Sequence, residues 1–202
     1  MKGLLIKDWK TLVKQTKVML AITALLACVP STYMSAFALF YAAMLPITAL
    51  AYDERAKWDE LAAMMPYTAR SIVGSKYVLG LTLVLPVLVL SMLSRLLVHS
   101  TPIVSEDTMA LLITACLSLI LMAIDLPFMF HFGVEKGRLI YIVLTCVFVI
   151  TGVTYAGKLA DMVSGFETVM VTTVPLLLLA AAVVALFISY LVAVRVYRAR
   201  RG

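Results

Sequence analysis

Charge is scarce in this chain. Of its 202 residues, 14% are Asp, Glu, Lys or Arg and 63% are hydrophobic, against roughly 25% and 45–50% in soluble domains. A soluble protein this small must cover its surface with polar groups, and a mean hydropathy of +1.05 leaves too few to do so. That excludes an ordinary soluble enzyme and a disordered chain. Cysteine is scarce as well: Cys28, Cys116 and Cys146 form an odd set, each inside an apolar stretch where a thiol behaves as a small hydrophobe. No disulfide scaffold is implied. The net charge of +6 does not point to nucleic acid, because the basic residues fall in short clusters between apolar runs instead of on one exposed face. The composition specifies an integral membrane protein.

Reactive constellations are also lacking. There is no H-E-x-x-H pair for zinc, no G-x-S-x-G nucleophile turn and no group of carboxylates within an apolar run. Gly152, Gly157 and Lys158 mimic most of a phosphate-binding loop, but Leu159 stands where the magnesium-binding hydroxyl belongs. The chain is therefore expected to be no enzyme and to hold no cofactor or metal of its own.

What is present is a series of charge-free windows. A helix rising about 1.5 Å per residue needs roughly 20 residues to cross the hydrocarbon core. The 35 residues of 18–52 are enough for two spans if the chain turns at Pro30, Ser31 and Thr32. Six spans follow, at about 15–31, 34–52, 77–98, 108–130, 139–157 and 168–194, in one permease domain over 1–202. Orientation follows from counting charges. Six spans with a cytoplasmic N-terminus place fifteen of the 17 Lys and Arg residues inside, leaving only Arg95 and Lys158 outside. Five spans would put seven inside and ten outside. The expected fold is all-α and polytopic, with both termini cytoplasmic. Ala36, Phe37 and Ala38 mimic a signal-peptidase site, but cleavage there would strand the apolar residues before Asp53, so no leader is expected.

The segments between spans carry further pattern. Lys7, Lys10, Lys14 and Lys17 recur at helical spacing, with Leu5, Trp9, Leu12 and Val13 toward another face. An amphipathic helix over 1–17 is expected in the cytoplasmic interface, in contact with membrane lipid. In the 53–76 loop, Trp58, Leu61, Ala62 and Met65 line one face of a short helix. Asp53 is expected as its N-cap and as an i+4 partner of Lys57, Pro66 as its end, and Thr68 as the cap of the next helix. That apolar face needs a cover, and pattern alone leaves lipid head groups and a protein partner equally open.

Three polar features inside the spans stand out. Asp125, near the inner end of the fourth span, is a candidate functional carboxylate, though a loop residue such as Lys136 could pair with it. Arg95 lies near the outer end of the third span, where surrounding aliphatic residues outweigh its cost. Ala181, Ala185, Ser189 and Ala193 recur every four residues in the last span and predict a close helix contact.

Together these residues resemble a family. Met1, Lys2, Gly3, Leu4, Leu5, Lys7 and Asp8 at the start resemble the permease subunits of ABC-2 type transporters, above all the short permeases of peptide and toxin exporters such as those for phenol-soluble modulins. So do Tyr52, Asp53, Glu54, Lys57 and Trp58, then Pro66, Arg70, Lys76 and Tyr77, and finally Leu126, Pro127, Phe132, Gly133, Glu135, Lys136 and Arg138. The resemblance implies that the loop helix is a coupling helix docked in a groove of a separate ATPase subunit, which binds ATP and magnesium. Trp58, Leu61 and Met65 would fill the groove, with Asp53, Glu54, Lys57, Asp59 and Glu60 setting the register. Gly133, Glu135, Lys136 and Arg138 would make a second contact. It also implies a second permease copy, identical or a close paralogue, a path for an apolar or amphipathic cargo, and a bacterial plasma membrane. Two rival readings carry no ATPase: a stand-alone channel or carrier, and an intramembrane enzyme.

Overall fold

The computed structural model describes residues 2–65, 67–99, 106–164 and 169–201, and within these the side chains except those of 2, 59, 60, 63, 99, 106, 152–174, 200 and 201. Among the described residues all regular structure is helical: α1 (Lys2–Gln15), α2 (Lys17–Cys28), α3 (Thr32–Arg55), α4 (Trp58–Ala63), α5 (Ala69–His99), α6 (Glu106–Phe132), α7 (Val134–Ser164) and α8 (Val169–Arg201). Four stretches, Thr32–Arg55, Ala69–Val98, Asp107–Phe132 and Pro175–Ala199, are long and apolar enough to cross a membrane, and five if the bent pair of α1 and α2 counts as one. Proline enters α3, α5, α6 and α8 without ending them.

The first expected span departs from its boundaries. α2 has 12 residues, about 18 Å at 1.5 Å each, short of a hydrocarbon core of about 30 Å. It meets α1 at an angle of 86°. α1 supplies part of the depth: Leu12 is fully buried against Leu45, Ala49, Leu79 and Leu83. At the other end of α2, Ser94 Oγ donates to the Ala27 carbonyl at 3.1 Å.

α6 sits at the centre, packed on α8, α3 and α7, while α5 closes the far side against α3, α2 and α8. Two polar links fix this core. Tyr77 Oη lies 2.5 Å from Ser189 Oγ, and Ser189 Oγ in turn donates to the Ala123 carbonyl. Tyr141 Oη donates to the Phe40 carbonyl at 2.6 Å. Inside apolar surroundings such hydroxyls need partners, and here each one joins two helices. α6 and α8 run side by side, and Phe130 meets Tyr197 edge-on at 5.7 Å. The C-terminal part of α8 comes near α4, where Tyr197 and Trp58 line one cavity. The outward face of α8 is apolar: Leu176, Leu177, Val183, Phe187 and Ile188 are all exposed, as a lipid-facing surface requires.

Candidate functional site

The end of the bundle that carries α4 holds Asp8 and Lys76, two of the four charged residues buried among those described. α3 does not stop at residue 52, the expected end of the span, but continues through Arg55, so Asp53 occupies its last turn and is not the N-cap of the loop helix. The turn is made at Ala56 and Lys57, where Lys57 has φ 49. A left-handed conformation costs a non-glycine residue roughly 1–2 kcal/mol. α4 then covers only Trp58–Ala63. As expected, Thr68 caps the next helix: the Ser71 amide donates to its Oγ1 at 3.3 Å.

Asp53 is spoken for by two lysines from other helices. Lys7 Nζ donates to its Oδ1 at 2.7 Å and Lys76 Nζ to its Oδ2 at 2.5 Å. Asp8 completes the ring, with Oδ1 at 3.1 Å from Lys7 and 2.9 Å from Lys76. The four charges alternate and cancel. The side chains of Lys76 and Asp8 are 2% and 1% exposed, so the ring is a buried network and not a set of surface pairs, whose worth is small. It joins α1, α3 and α5. Lys7 accordingly turns inward, and its ammonium also sits 3.9 Å from the centre of the Trp58 ring. Its expected place on a lysine face toward head groups is left to Lys10, Lys14 and Lys17, which are exposed. Leu4, Asp8 and Leu12 form the buried face of α1, while Ile6, Trp9 and Val13 point outward.

A second link runs from α3 to α7. Glu54 Oε2 accepts from the Val134 amide at 3.0 Å, placing a carboxylate where the first turn of a helix has unpaired N–H groups and positive potential. Gly133, with φ 87, makes the turn between α6 and α7, and a Cβ there would stand 3.3 Å from Glu54 Oε1. Gly137, one turn into α7, lets that helix press on Met129, whose Cγ would lie 2.4 Å from an added Cβ.

α4 divides its apolar residues between two sides. Ala62 is fully buried and Trp58 is packed against the core. Trp58 also lines a cavity of ≈ 40 Å³ with Asp53, Glu54, Lys76, Phe130 and Tyr197, room for a water molecule. Leu61, Met64 and Met65 are 49%, 85% and 41% exposed. Trp58 therefore faces its own chain, and Met64, which lies off the expected stripe, takes its place on the outer surface. The side chains of Asp59 and Glu60, and all of Pro66, lie outside the described residues. Glu135 and Lys136 are exposed, and Arg138 is partly buried.

The polar features within the spans are placed less uniformly. Asp125 is fully buried, with neither carboxylate oxygen hydrogen-bonded among the described residues, and Lys136 is exposed, so the pairing that Lys136 could have made is absent. One turn to either side, Leu121 and Met129 pack against Ile47, Ala51 and Tyr141. Arg95 is buried at the opposite end, donating from Nη1 to the Asp107 carbonyl at 2.8 Å, with Nε and Nη2 unbonded among the described residues. Of the small-residue series, Ser189 and Ala193 are buried, Ala185 is partly so and Ala181 is exposed. Ala182, at 1% exposure, replaces Ala181, because a four-residue step drifts by about 40° per repeat on a helix of 3.6 residues per turn. Gly152, Gly157 and Lys158 lie in the continuous helix α7, their side chains outside the described residues. No loop of a phosphate-binding kind exists there. No set of His, Cys, Asp or Glu suited to a metal occurs among the described residues.

A helical bundle of this apolarity, with charge gathered at the end that carries α4, can now be set beside known proteins. The family described as ABC-2 family transporter protein matches residues 3–198. The chain belongs to that family. No curated protein and no solved structure matches it. As an ABC-2 family member it is a multi-pass membrane permease of an ABC transporter, a class that typically works with an ABC ATPase.

Proposed function

We propose that this ABC-2 permease is the membrane subunit of a bacterial plasma-membrane exporter, with α4 as the coupling helix that docks in a groove of the partner ATPase. The observation that carries the reading is the exposure of Leu61 on a short helix, and of Met64 and Met65 in the turn that ends it, braced from behind by Trp58 and the Lys7–Asp8–Asp53–Lys76 ring. Three large apolar side chains at the polar end of a membrane protein need a cover. Methionine and leucine suit a protein groove. Asp59 and Glu60 border them in sequence, and Gly133, Glu135, Lys136 and Arg138 supply the second contact. The chain itself is no enzyme. ATP and magnesium belong to the ATPase.

In this reading six passes, α2, α3, α5, α6, α7 and α8, place both termini and α4 in the cytoplasm, as the distribution of Lys and Arg supports. Two permease copies, identical or paralogous, face each other with two ATPases below. ATP binding closes the ATPase pair and drives the coupling helices together. α4 is continuous with α3 through a two-residue turn, α3 is tied to α1 and α5 through Asp53, and Glu54 ties it to α7. The push therefore reaches four helices at once, and a bistable bundle answers by reorienting as a unit. Aliphatic walls with few buried charges suit an apolar or amphipathic cargo, a peptide above all. The test is co-purification in mild detergent: a soluble ATPase should accompany the wild type and be lost from the Leu61→Asp, Met64→Asp double variant. Transport by the purified chain in liposomes without an ATPase would instead establish a stand-alone carrier.

A further inference from the structure

Along the seam between α3 and α7 two cavities lie end to end. The first, of ≈ 550 Å³, is lined by Arg55, Lys136 and Arg138 together with Glu54, Glu135 and the apolar Ala51, Phe132, Leu139 and Ile142. Its size falls within the range of about 300–1,000 Å³ common for small-molecule sites. The second, of ≈ 200 Å³, is lined by Phe37, Phe40, Tyr41, Met44, Tyr141, Ile142, Thr145 and Cys146. Ile142 lines both, so the polar chamber and the aromatic one adjoin at that side chain.

The charge in the polar chamber is not balanced from within. Of its two acids, Glu54 is engaged with the Val134 amide and Glu135 is exposed at the rim. Three cations face them, and the start of α7 adds its own positive potential. Arg138 Nε is buried with no hydrogen-bond partner among the described residues, although a guanidinium normally holds its partners in a planar fork. The walls then change character along the seam: Phe132, Leu139 and Ile142 are 51%, 65% and 48% exposed, on the surface that faces lipid. An anion-holding chamber continued by an apolar groove matches a molecule with a phosphate at one end and a hydrocarbon chain at the other.

We propose that the α3–α7 seam is a binding site for an anionic phospholipid, with the phosphate among Arg55, Lys136 and Arg138 and an acyl chain passing Ile142 into the aromatic groove. The proposal rests on the α4 end lying at a membrane surface, as the proposed function has it, but needs no ATPase. Because Glu54 and Gly133 form both the chamber wall and the joint between α3 and α7, a bound headgroup bears on the same joint through which α4 would move the bundle.

The test is native mass spectrometry of the full-length permease alone in detergent, with phosphatidylglycerol or phosphatidylcholine added. The wild type should retain phosphatidylglycerol in preference to phosphatidylcholine. Arg138→Gln should lower that retention about fivefold, the effect of one basic residue at an anionic surface, and Arg138→Lys should restore most of it. Ile142→Trp, which fills the junction of the two cavities, should lower retention of phosphatidylglycerol without changing binding of soluble glycerol phosphate. Equal retention of the two lipids, or equal retention by wild type and Arg138→Gln at unchanged helicity, would overturn the proposal. So would displacement of the lipid by glycerol phosphate alone, which would make this a site for a free phosphate, or by an amphipathic peptide at lower concentration, which would make it a cargo site. Loss of ATPase association with lipid retention intact would bear on the docking reading and leave this one standing.

Discussion

Lys76 and Asp53, 23 residues apart in sequence, meet at 2.5 Å with the lysine side chain almost wholly buried. An ammonium at that depth is tolerable only with anionic partners, and Asp8 of α1 supplies the second at 2.9 Å. The contact explains how a short amphipathic helix at the start of the chain is held against the bundle. It also makes the three helices that converge behind α4 answer to one another.

Removing one charge from the ring should expose this dependence. Lys76→Gln leaves Asp8 and Asp53 facing each other with only Lys7 between them, and breaking a buried pair this way costs about 3–5 kcal/mol. Lys7→Gln should cost less than Lys76→Gln, since the Lys7 side chain is 24% exposed against 2% for Lys76, and water can take up part of what its ammonium supplied. Thermal unfolding in detergent, followed by tryptophan fluorescence, should therefore show a large fall in midpoint for Lys76→Gln and a smaller one for Lys7→Gln. An unchanged midpoint for Lys76→Gln would mean that the ring is not the support of α1.

The outer face of α4 should behave as a hot spot. Met64, which caps α4, is the most exposed large side chain there, flanked by Leu61 and Met65, and truncation of a central interface anchor costs about 2 kcal/mol or more, roughly thirtyfold in affinity. Met64→Ala and Leu61→Ala should each weaken ATPase association in a pull-down or by interferometry while leaving the thermal midpoint unchanged. Trp58→Ala should do the reverse first, lowering the midpoint, because its ring packs on Lys7 and the core. A Trp58 variant that keeps its stability and loses association would move the tryptophan back to the contact surface.

Much of this was legible in the residues, for identifiable reasons. The long apolar windows place α3, α5, α6 and α8, because crossing lipid demands length and apolarity whatever the tertiary detail. Thr68 as a cap was legible because the signal is local. The ring was not. Lys7, Asp8, Asp53 and Lys76 each read as loop or interface charge, and only the packing of α1 on α3 and α5 brings them together. The end of α3 was misplaced for the same reason: Asp53 looks like a cap when its lysine partners are unseen. The two faces of α4 could not be separated either, since six residues give less than two turns and burial of Ala62 depends on what lies behind it.

The joint between α3 and α7 should be sensitive at both members. Glu54→Ala removes the carboxylate from the Val134 amide and should cost about 1 kcal/mol, the worth of a helix cap. Gly133→Ala forces a Cβ onto a residue at φ 87, costing roughly 1–2 kcal/mol. The two residues touch, so the double variant should fall short of the sum. A thermodynamic cycle on unfolding midpoints checks this; strict additivity would show that Glu54 and Gly133 act independently.

Asp125 separates stability from transport. A carboxylate buried without a hydrogen-bond partner among the described residues is a liability of about 1–3 kcal/mol, and the neighbouring turns of α6 pack through the apolar Leu121 and Met129. Asp125→Leu, close in volume and fully apolar, should therefore raise the unfolding midpoint, whereas Lys136→Ala should leave it unchanged because the two residues are not paired. If the carboxylate has a role in the transport cycle, the Asp125→Leu variant will be more stable and less active in ATP-driven export from vesicles, as expected where a strained group is kept for function. A drop in stability instead would mean that Asp125 has a partner in the assembled transporter. The natural place to look for it is across the interface with the second permease copy.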